Sequence, residues 1–224
     1  MTLATALVVL LLAAIVVVLA AVLAVVTEGR YYGKSISRWT YEKFGPAIFR
    51  IQSEAVTWKR LAEDIHLGPS ACVLDIGTAI GDLPISLAEL RGQGLTAYGI
   101  ELSPSMAHEA VQEAESRGVG DRTLFVIADA SASLPFAGGV FSAVAAFGIL
   151  EGMKSPARVL AEMDRIAASD GMLLVSVYRG SSSLIVALGE QWYRRELSKL
   201  GKYTTKRRPL RKTHDVLVAT RHSS

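Results

Sequence analysis

Three carboxylates follow or close short apolar runs, and their spacing gives the chain its chemistry. Asp75 sits in Val73-Leu74-Asp75-Ile76, Glu101 follows Thr96 to Ile100, and Asp129 follows Thr123 to Ala128. Runs of this kind suit strands buried in a parallel sheet. After the first run, Gly77 and Gly81 let the backbone turn tightly and approach a ligand, and Leu83, Ile85, Leu87 and Leu90 begin a helical pattern. A strand, a glycine turn and a helix in this order build a nucleotide-cofactor site.

Charge narrows the choice of cofactor. A dinucleotide places pyrophosphate on the helix N-terminus and needs glycines in G-x-G-x-x-G register, but counting from Gly77 the later positions hold Ala79 and Asp82. Asp82 at the helix start repels a diphosphate, which disfavours a nicotinamide dehydrogenase. Asp75 instead suits a ligand that carries an ammonium and no phosphate, as S-adenosylmethionine does. Glu101 lies one helix and one return strand beyond Asp75, the βαβ logic that delivers an acid to a ribose edge, where it can accept both hydroxyls. Ser103 and Pro104 then read as an N-cap and first helical residue.

Asp75-Ile76-Gly77-Thr78-Ala79-Ile80-Gly81 resembles motif I, D-x-G-x-G-x-G, of the class I S-adenosylmethionine-dependent methyltransferases, with Ala79 in place of a glycine. Glu101-Leu102-Ser103-Pro104 matches the acid, apolar, Ser, Pro segment often found in that family, and Asp129-Ala130 resembles the segment whose acid contacts the adenine amino group. For Asp129 an Asx-type turn cap is the competing role. The resemblance implies S-adenosyl-L-methionine as cofactor, held by Asp75, Gly77, Thr78, Ala79, Gly81, Glu101, Leu102, Asp129, Ala130 and Phe147. The fourth strand, Val140 to Gly148, has Ser142 where the family usually has an aspartate. Ile149-Leu150-Glu151-Gly152 lacks the Asn/Asp-Pro-Pro-aromatic signature of many amino-directed enzymes, which argues against nucleic-acid and protein-amide acceptors.

These segments need a scaffold. Strands alternating with helices predict an α/β fold, a Rossmann-like doubly wound, mostly parallel sheet. One helix carries Val159, Leu160, Met163 and Ile166 on its apolar face; Asp170-Gly171 turns the chain into a fifth strand, Met172 to Tyr178. The resemblance spans Leu67 to Thr220 and implies seven strands, with an antiparallel last strand near Val216 to Thr220 reached from a helix over about Leu184 to Leu200. The approach segment from Tyr31 to Gly68 is loosely similar to that of quinone-biosynthesis C-methyltransferases and lipid methyltransferases. It carries Trp39, Tyr41, Phe44 and the helical series Ile51, Ala55, Trp58, Leu61, Ile65. Its aromatic rings can cap a cationic ligand or pack on the sheet; packing is favoured for Trp58, and both roles stay open for Tyr41.

From Met1 to Thr27 there is no charged side chain, and Leu3 to Val26 is an almost unbroken apolar run of 24 residues. At 1.5 Å per residue it spans about 36 Å, enough for a transmembrane helix. No basic n-region precedes it, so a retained anchor is expected in place of a cleaved signal. Arg30, Lys34, Arg38 and Lys43 follow it and no Lys or Arg precedes it, which predicts a single-pass cell-membrane protein with its domain facing the cytoplasm. Cys72 is the only cysteine, read as a small hydrophobe. Arg194 to Lys212 holds 9 Lys/Arg against Glu196 alone, a second expected contact with anionic lipid, although a solvated hairpin gives the same composition.

The expected organisation is an anchor over 1–27, a helical approach segment over 28–66 and a methyltransferase domain over 67–224. His66, His108, His214 and His222 are scattered and no metal motif is present, so no metal is expected. Tyr41, Glu151 and Tyr178 stay open as general bases. The expected activity is methyl transfer to a small-molecule or lipidic acceptor, with a quinone or phospholipid head group favoured and no nucleic-acid partner. A catalytically silent methyltransferase-like scaffold is the alternative, kept open by Ala79 and Ser142.

Overall fold

The structure, a computed structural model, describes residues 5, 8–16, 35–53, 55–179, 188–201, 203–211 and 214–221. In chain order the elements are α1 (Ser35–Gln52), α2 (Ala55–Asp64), β1 (Ala71–Ile76), α3 (Asp82–Arg91), β2 (Leu95–Glu101), α4 (Pro104–Ser116) and β3 (Thr123–Ile127). They continue as β4 (Phe141–Ala146), α5 (Pro156–Ile166), β5 (Ala167–Tyr178), α6 (Glu190–Leu200), β6 (Tyr203–Pro209) and β7 (His214–Arg221). The strands form one seven-stranded sheet in the order β3-β2-β1-β4-β5-β7-β6. β7 runs antiparallel to both β5 and β6, while the pairs among β1 to β5 are parallel. The expected Rossmann-like sheet and its reversed last strand are both present.

Period-two alternation divides the core between the two faces of this sheet. Leu74 and Ile76 of β1, Val144 and Ala146 of β4 and Leu173, Val175 and Val177 of β5 pack with Val159, Leu160, Met163 and Ile166 of α5 and Tyr193 and Leu197 of α6. Val73, Ala143, Ala145 and Leu174, one step out of phase, pack with Leu83, Leu87 and Ala88 of α3 and Leu61, Ala62 and Ile65. A third cluster joins Ala79, Ile80 and Met106 to Tyr41 and Phe49 of α1. It lies beside the glycine turn and brings α1 over the end of the sheet.

Two details differ from the sequence reading, and two more fall partly outside the described residues. The Asp170-Gly171 turn is absorbed into β5: Phe141 pairs with Ala167 and Ala143 with Met172, so two steps on β4 face five on β5 and the excess bulges out. Ile51 is 86% exposed, because α1 ends at Gln52 and α2 starts at Ala55, which breaks the helical phase that would carry Ile51 onto the face of Leu61 and Ile65. The helix before β6 begins at Glu190, and residues 184–187 of its expected start lie outside the described residues. Of the apolar N-terminal run only residues 5 and 8–16 are described, all helical; the rest lies outside the described residues. No helix among the described residues is long and apolar enough to cross a membrane.

The parallel half of the sheet depends on α5 covering β4 and β5. Leu160 is fully buried there, so Leu160→Ala should lower stability by about 2–5 kcal/mol in urea unfolding, with an unchanged m-value.

Candidate functional site

The chain reverses at the carboxyl ends of β1, β2, β3 and β4, and a cavity of about 430 Å³ opens there. This is the topological switch point, since β2 lies on one side of β1 and β4 on the other. Its walls include Gly77, Glu101, Leu102, Asp129, Ala130 and Phe147, six of the ten residues expected from sequence. Asp75, Thr78, Ala79 and Gly81 do not line it: Asp75 is buried in β1, and the other three form the buried turn behind the wall. Tyr41 and Phe49 of α1 close one side, and Ile149, Met153, Lys154 and Arg158 complete another. The last six were missed as cofactor-site residues because they follow no motif; only Tyr41 carried a signal, as an aromatic in the approach segment.

The glycine turn is fastened to β2. The N–H groups of Gly77 and Thr78 both donate to the Ile100 carbonyl, at 2.9 and 3.0 Å. Gly77 has φ 70° and Gly81 φ 82°, the left-handed region that glycine tolerates. A Cβ on Gly77 would stand 2.4 Å from Ile149 Cδ1, and one on Gly81 2.8 Å from Phe125 Cζ. Ala79 has φ 51°, so the missing glycine falls where the backbone needs one. A left-handed alanine costs roughly 1–2 kcal/mol, and the turn retains the conformation despite it.

What holds Ala79 there is Glu101. Its Oε2 accepts the Ala79 N–H at 3.0 Å, while Oε1 accepts the N–H groups of Leu102 at 2.8 Å and Ser103 at 3.0 Å. A carboxylate offers about four acceptor positions, so about one remains for a ligand while these bonds last. Accepting two ribose hydroxyls would require one N–H to be released. Ser103 is the expected N-cap of α4, its Oγ accepting the Met106 N–H at 3.3 Å, with Pro104 in the first turn. Asp129 Oδ1 accepts the Ser131 N–H at 2.8 Å, so the Asx turn forms, and the exposed residue still reaches the cavity.

Burial sets the electrostatics. Asp75 is pushed up to about 7, first by desolvation and then by the nearby Asp82 and Glu101 charges; the Thr78 hydroxyl opposes this in part. That hydroxyl makes no full hydrogen bond in its buried position. Desolvation also raises Glu101, partly offset by its three N–H donors, and Asp82, partly offset by Ser53, which donates to Oδ1 at 2.8 Å. The three acids thus cluster around the turn behind the cavity, and of them only Asp82 is drawn down by basic side chains, Arg117 and Arg211.

At the β4 end, Ser176 Oγ accepts the Gly148 N–H at 2.9 Å and donates to Glu151 Oε1 at 3.3 Å, where the Tyr193 hydroxyl also donates at 3.2 Å. Burial raises the pKa of Glu151 and, together with the Glu151 charge, that of Tyr178. Of the three candidate bases, only Tyr41 lies on the cavity wall. Trp58 packs edge-on to Phe147 at 5.4 Å, the expected packing role. Cys72 is a half-buried free thiol against the core. Among the described residues no group of His, Cys, Asp and Glu could hold a metal ion.

Residues 74–175 match the family of methyltransferase domains. Over these residues, just under half of its length, the chain is similar to a methyltransferase domain. The domain is similar to demethylmenaquinone methyltransferase of Thermus thermophilus, 38% identical over 53% of this chain and 52% of that protein. It is also similar to a ubiquinone/menaquinone biosynthesis C-methyltransferase of Citrifermentans bemidjiense, 32% identical over 53% of this chain and 50% of that protein. The chain spans about half the length of these curated relatives. The solved structure of magnesium protoporphyrin IX methyltransferase from Synechocystis PCC 6803 with bound SAH shares the fold. Its TM-score is 0.66 at 20% identity, covering 84% of this chain and 99% of that one.

Two outcomes follow from this geometry. Ala79→Gly should stabilise the fold by about 1 kcal/mol in urea unfolding, since glycine removes the left-handed strain. As pH rises from about 4 to 7 the unfolded chain gives up the Asp75 proton while the folded chain keeps it, so stability falls through this window. Unfolding at pH 5 and pH 8 should therefore show a lower stability at pH 8, and Asp75→Asn should shrink the difference, by at most about 3 kcal/mol.

Proposed function

We propose that this chain is a membrane-anchored methyltransferase that moves a methyl group from S-adenosylmethionine to a small-molecule or lipidic acceptor, a quinone or phospholipid head group. The observation that carries the reading is the convergence of Glu101 and Asp129 on one cavity at the switch point, with Asp75 buried beneath it. The residues fit the cofactor. A cavity of about 430 Å³ is of the size that encloses small ligands. Glu101 has an acceptor position left for a ribose hydroxyl, Asp129 has a second carboxylate oxygen for an adenine amino group, and the unpartnered Thr78 hydroxyl marks polar capacity in the turn.

When bound, S-adenosylmethionine supplies an electrophilic methyl group on a sulfonium. The domain's own residues then have to orient, enclose and balance charge. Asp75, Glu101 and Asp82 supply negative potential beneath a cation, and the rings of Tyr41 and Phe49 close the side of the cavity where a ring face attracts positive charge. Ser176 and Glu151 hold the backbone at Gly148, and Tyr41 is the hydroxyl on the wall able to meet an acceptor. The two quinone-pathway relatives support a quinone as acceptor, and the uncharged run from Leu3 to Val26 supports an anchor with the domain on the cytoplasmic side.

Part of the basic segment from 194 to 212 is already neutralised. Arg194 and Arg207 pair with Glu190, Arg195 and Lys199 with Glu196, and Arg207 also with Asp215. This segment is therefore a secondary lipid contact in the reading, subordinate to the N-terminal run.

Calorimetric titration of the full chain with S-adenosylmethionine tests the proposal. Binding should release protons between pH 6 and 7, read as heat that varies with buffer ionisation enthalpy, because a cation draws Asp75 back to its charged form. Glu101→Gln should weaken binding by about 1–3 kcal/mol. A folded chain that gives no heat at millimolar cofactor would overturn the enzyme reading and leave the silent scaffold.

A further inference from the structure

We infer that α1 is an interfacial helix which lies on an anionic bilayer surface and turns the mouth of the cofactor cavity toward the lipid. The inference rests on the anchored reading above and specifies how the domain meets the membrane. α1 presents two faces. Tyr41, Gly45 and Phe49, spaced i, i+4, i+8, face the protein: Tyr41 and Phe49 line the cavity and Gly45 packs against Met106. Phe44, Ile48 and Ile51, spaced i, i+4, i+7, face outward at 44%, 45% and 86% exposure. At 100° per residue the two sets lie about a quarter turn apart, so the outward apolar face borders the cavity side.

The outward face has the composition of a surface that meets lipid. Trp39, 57% exposed, stands edge-on to Phe44 at 6.0 Å, and Lys43 Nζ lies over both rings at 5.1 and 5.8 Å. Arg38 and Lys43 are exposed on the same helix, Arg50 is exposed but pairs with Glu109 of α4, and the helix's own acid, Glu42, turns inward to accept the Ser105 N–H at 3.1 Å. Aromatic rings, aliphatic side chains and cations without outward acids suit the head-group region of an anionic leaflet. Val56, at the start of α2, is a further exposed aliphatic side chain, at 72%. The occupant is further indicated by the chain itself. The uncharged apolar run ends at Val26, and only residues 27–34 separate it from Ser35, so a membrane holding that run would lie within reach of α1. A lipidic acceptor could then enter the cavity between α1 and the bilayer without crossing water.

The test uses the full chain carrying Cys72→Ser, reconstituted in vesicles of phosphatidylcholine and phosphatidylglycerol. A nitroxide is attached at Ile51→Cys, and in a separate sample at Asp170→Cys, an exposed site on β5. Collision with oxygen, which partitions into lipid, is compared with collision with a water-soluble nickel chelate by paramagnetic resonance. The ratio of oxygen to chelate accessibility should be several-fold higher at 51 than at 170. Adding Ile48→Glu should return the ratio at 51 toward the value at 170, with no change in cofactor affinity. Equal ratios at 51 and 170 in vesicles would overturn the inference. So would protection at 51 that persists in detergent with a doubled mass in sedimentation, which assigns the face to a second copy. The probe reading needs neither cofactor nor turnover, so it fails independently of the enzyme reading, which the calorimetric titration decides.

Discussion

The site depends on one carboxylate. Glu101 ends the second strand, and its two oxygens hold three backbone N–H groups, one in the turn behind the cavity wall at Ala79 and two in its own loop at Leu102 and Ser103. Those bonds join the turn after β1 to the start of α4. Without them, an alanine at φ 51° would have little to hold it in a conformation that strongly favours glycine. The same group is buried and desolvated, so the geometry is bought with negative charge in a poorly solvated place.

That arrangement has an electrostatic consequence for any ligand. Asp75, Asp82 and Glu101 all have raised pKa values, with desolvation the leading cause for each; neutral hydrogen-bond donors offset part of every shift, and at Asp82 Arg117 and Arg211 add to the offset. A site built this way gains when a positive charge enters, because the entering cation offsets repulsion among the acids. It loses when a phosphate enters. The failed dinucleotide register in the sequence and the buried acids in the structure therefore point the same way, through independent physics.

Much of this was legible in the sequence because it rests on local rules. Short apolar runs gave β1 to β5, the Ser103-Pro104 pair gave the start of α4, and the reversed strand near Val216 came with the family resemblance. The positive φ of Ala79 was posed as a question by the missing glycine and answered only by coordinates. What sequence missed was set by tertiary contact. Phe49, Ile149, Met153, Lys154 and Arg158 reach the cavity from three different elements or loops and share no spacing. The occupation of Glu101 by its own backbone was equally hidden, because a strand-tip acid looks the same whether its partners are N–H groups or ribose hydroxyls. Ile51 misled because a helix break at Ser53 resets the phase, and nothing in the apolar pattern marks that break.

The central claim is that this turn and Glu101 form the cradle of a sulfonium cofactor. An experimental structure of the full chain with S-adenosylhomocysteine tests it most directly. The account predicts a ribose hydroxyl within hydrogen-bond distance of Glu101, the adenine beside Asp129 and Ala130, and the Ala79 N–H either still bound to Glu101 or released to admit the second hydroxyl. A complex in which the ligand lies away from β1 and β2, with Glu101 bonded only to its own backbone, would contradict it.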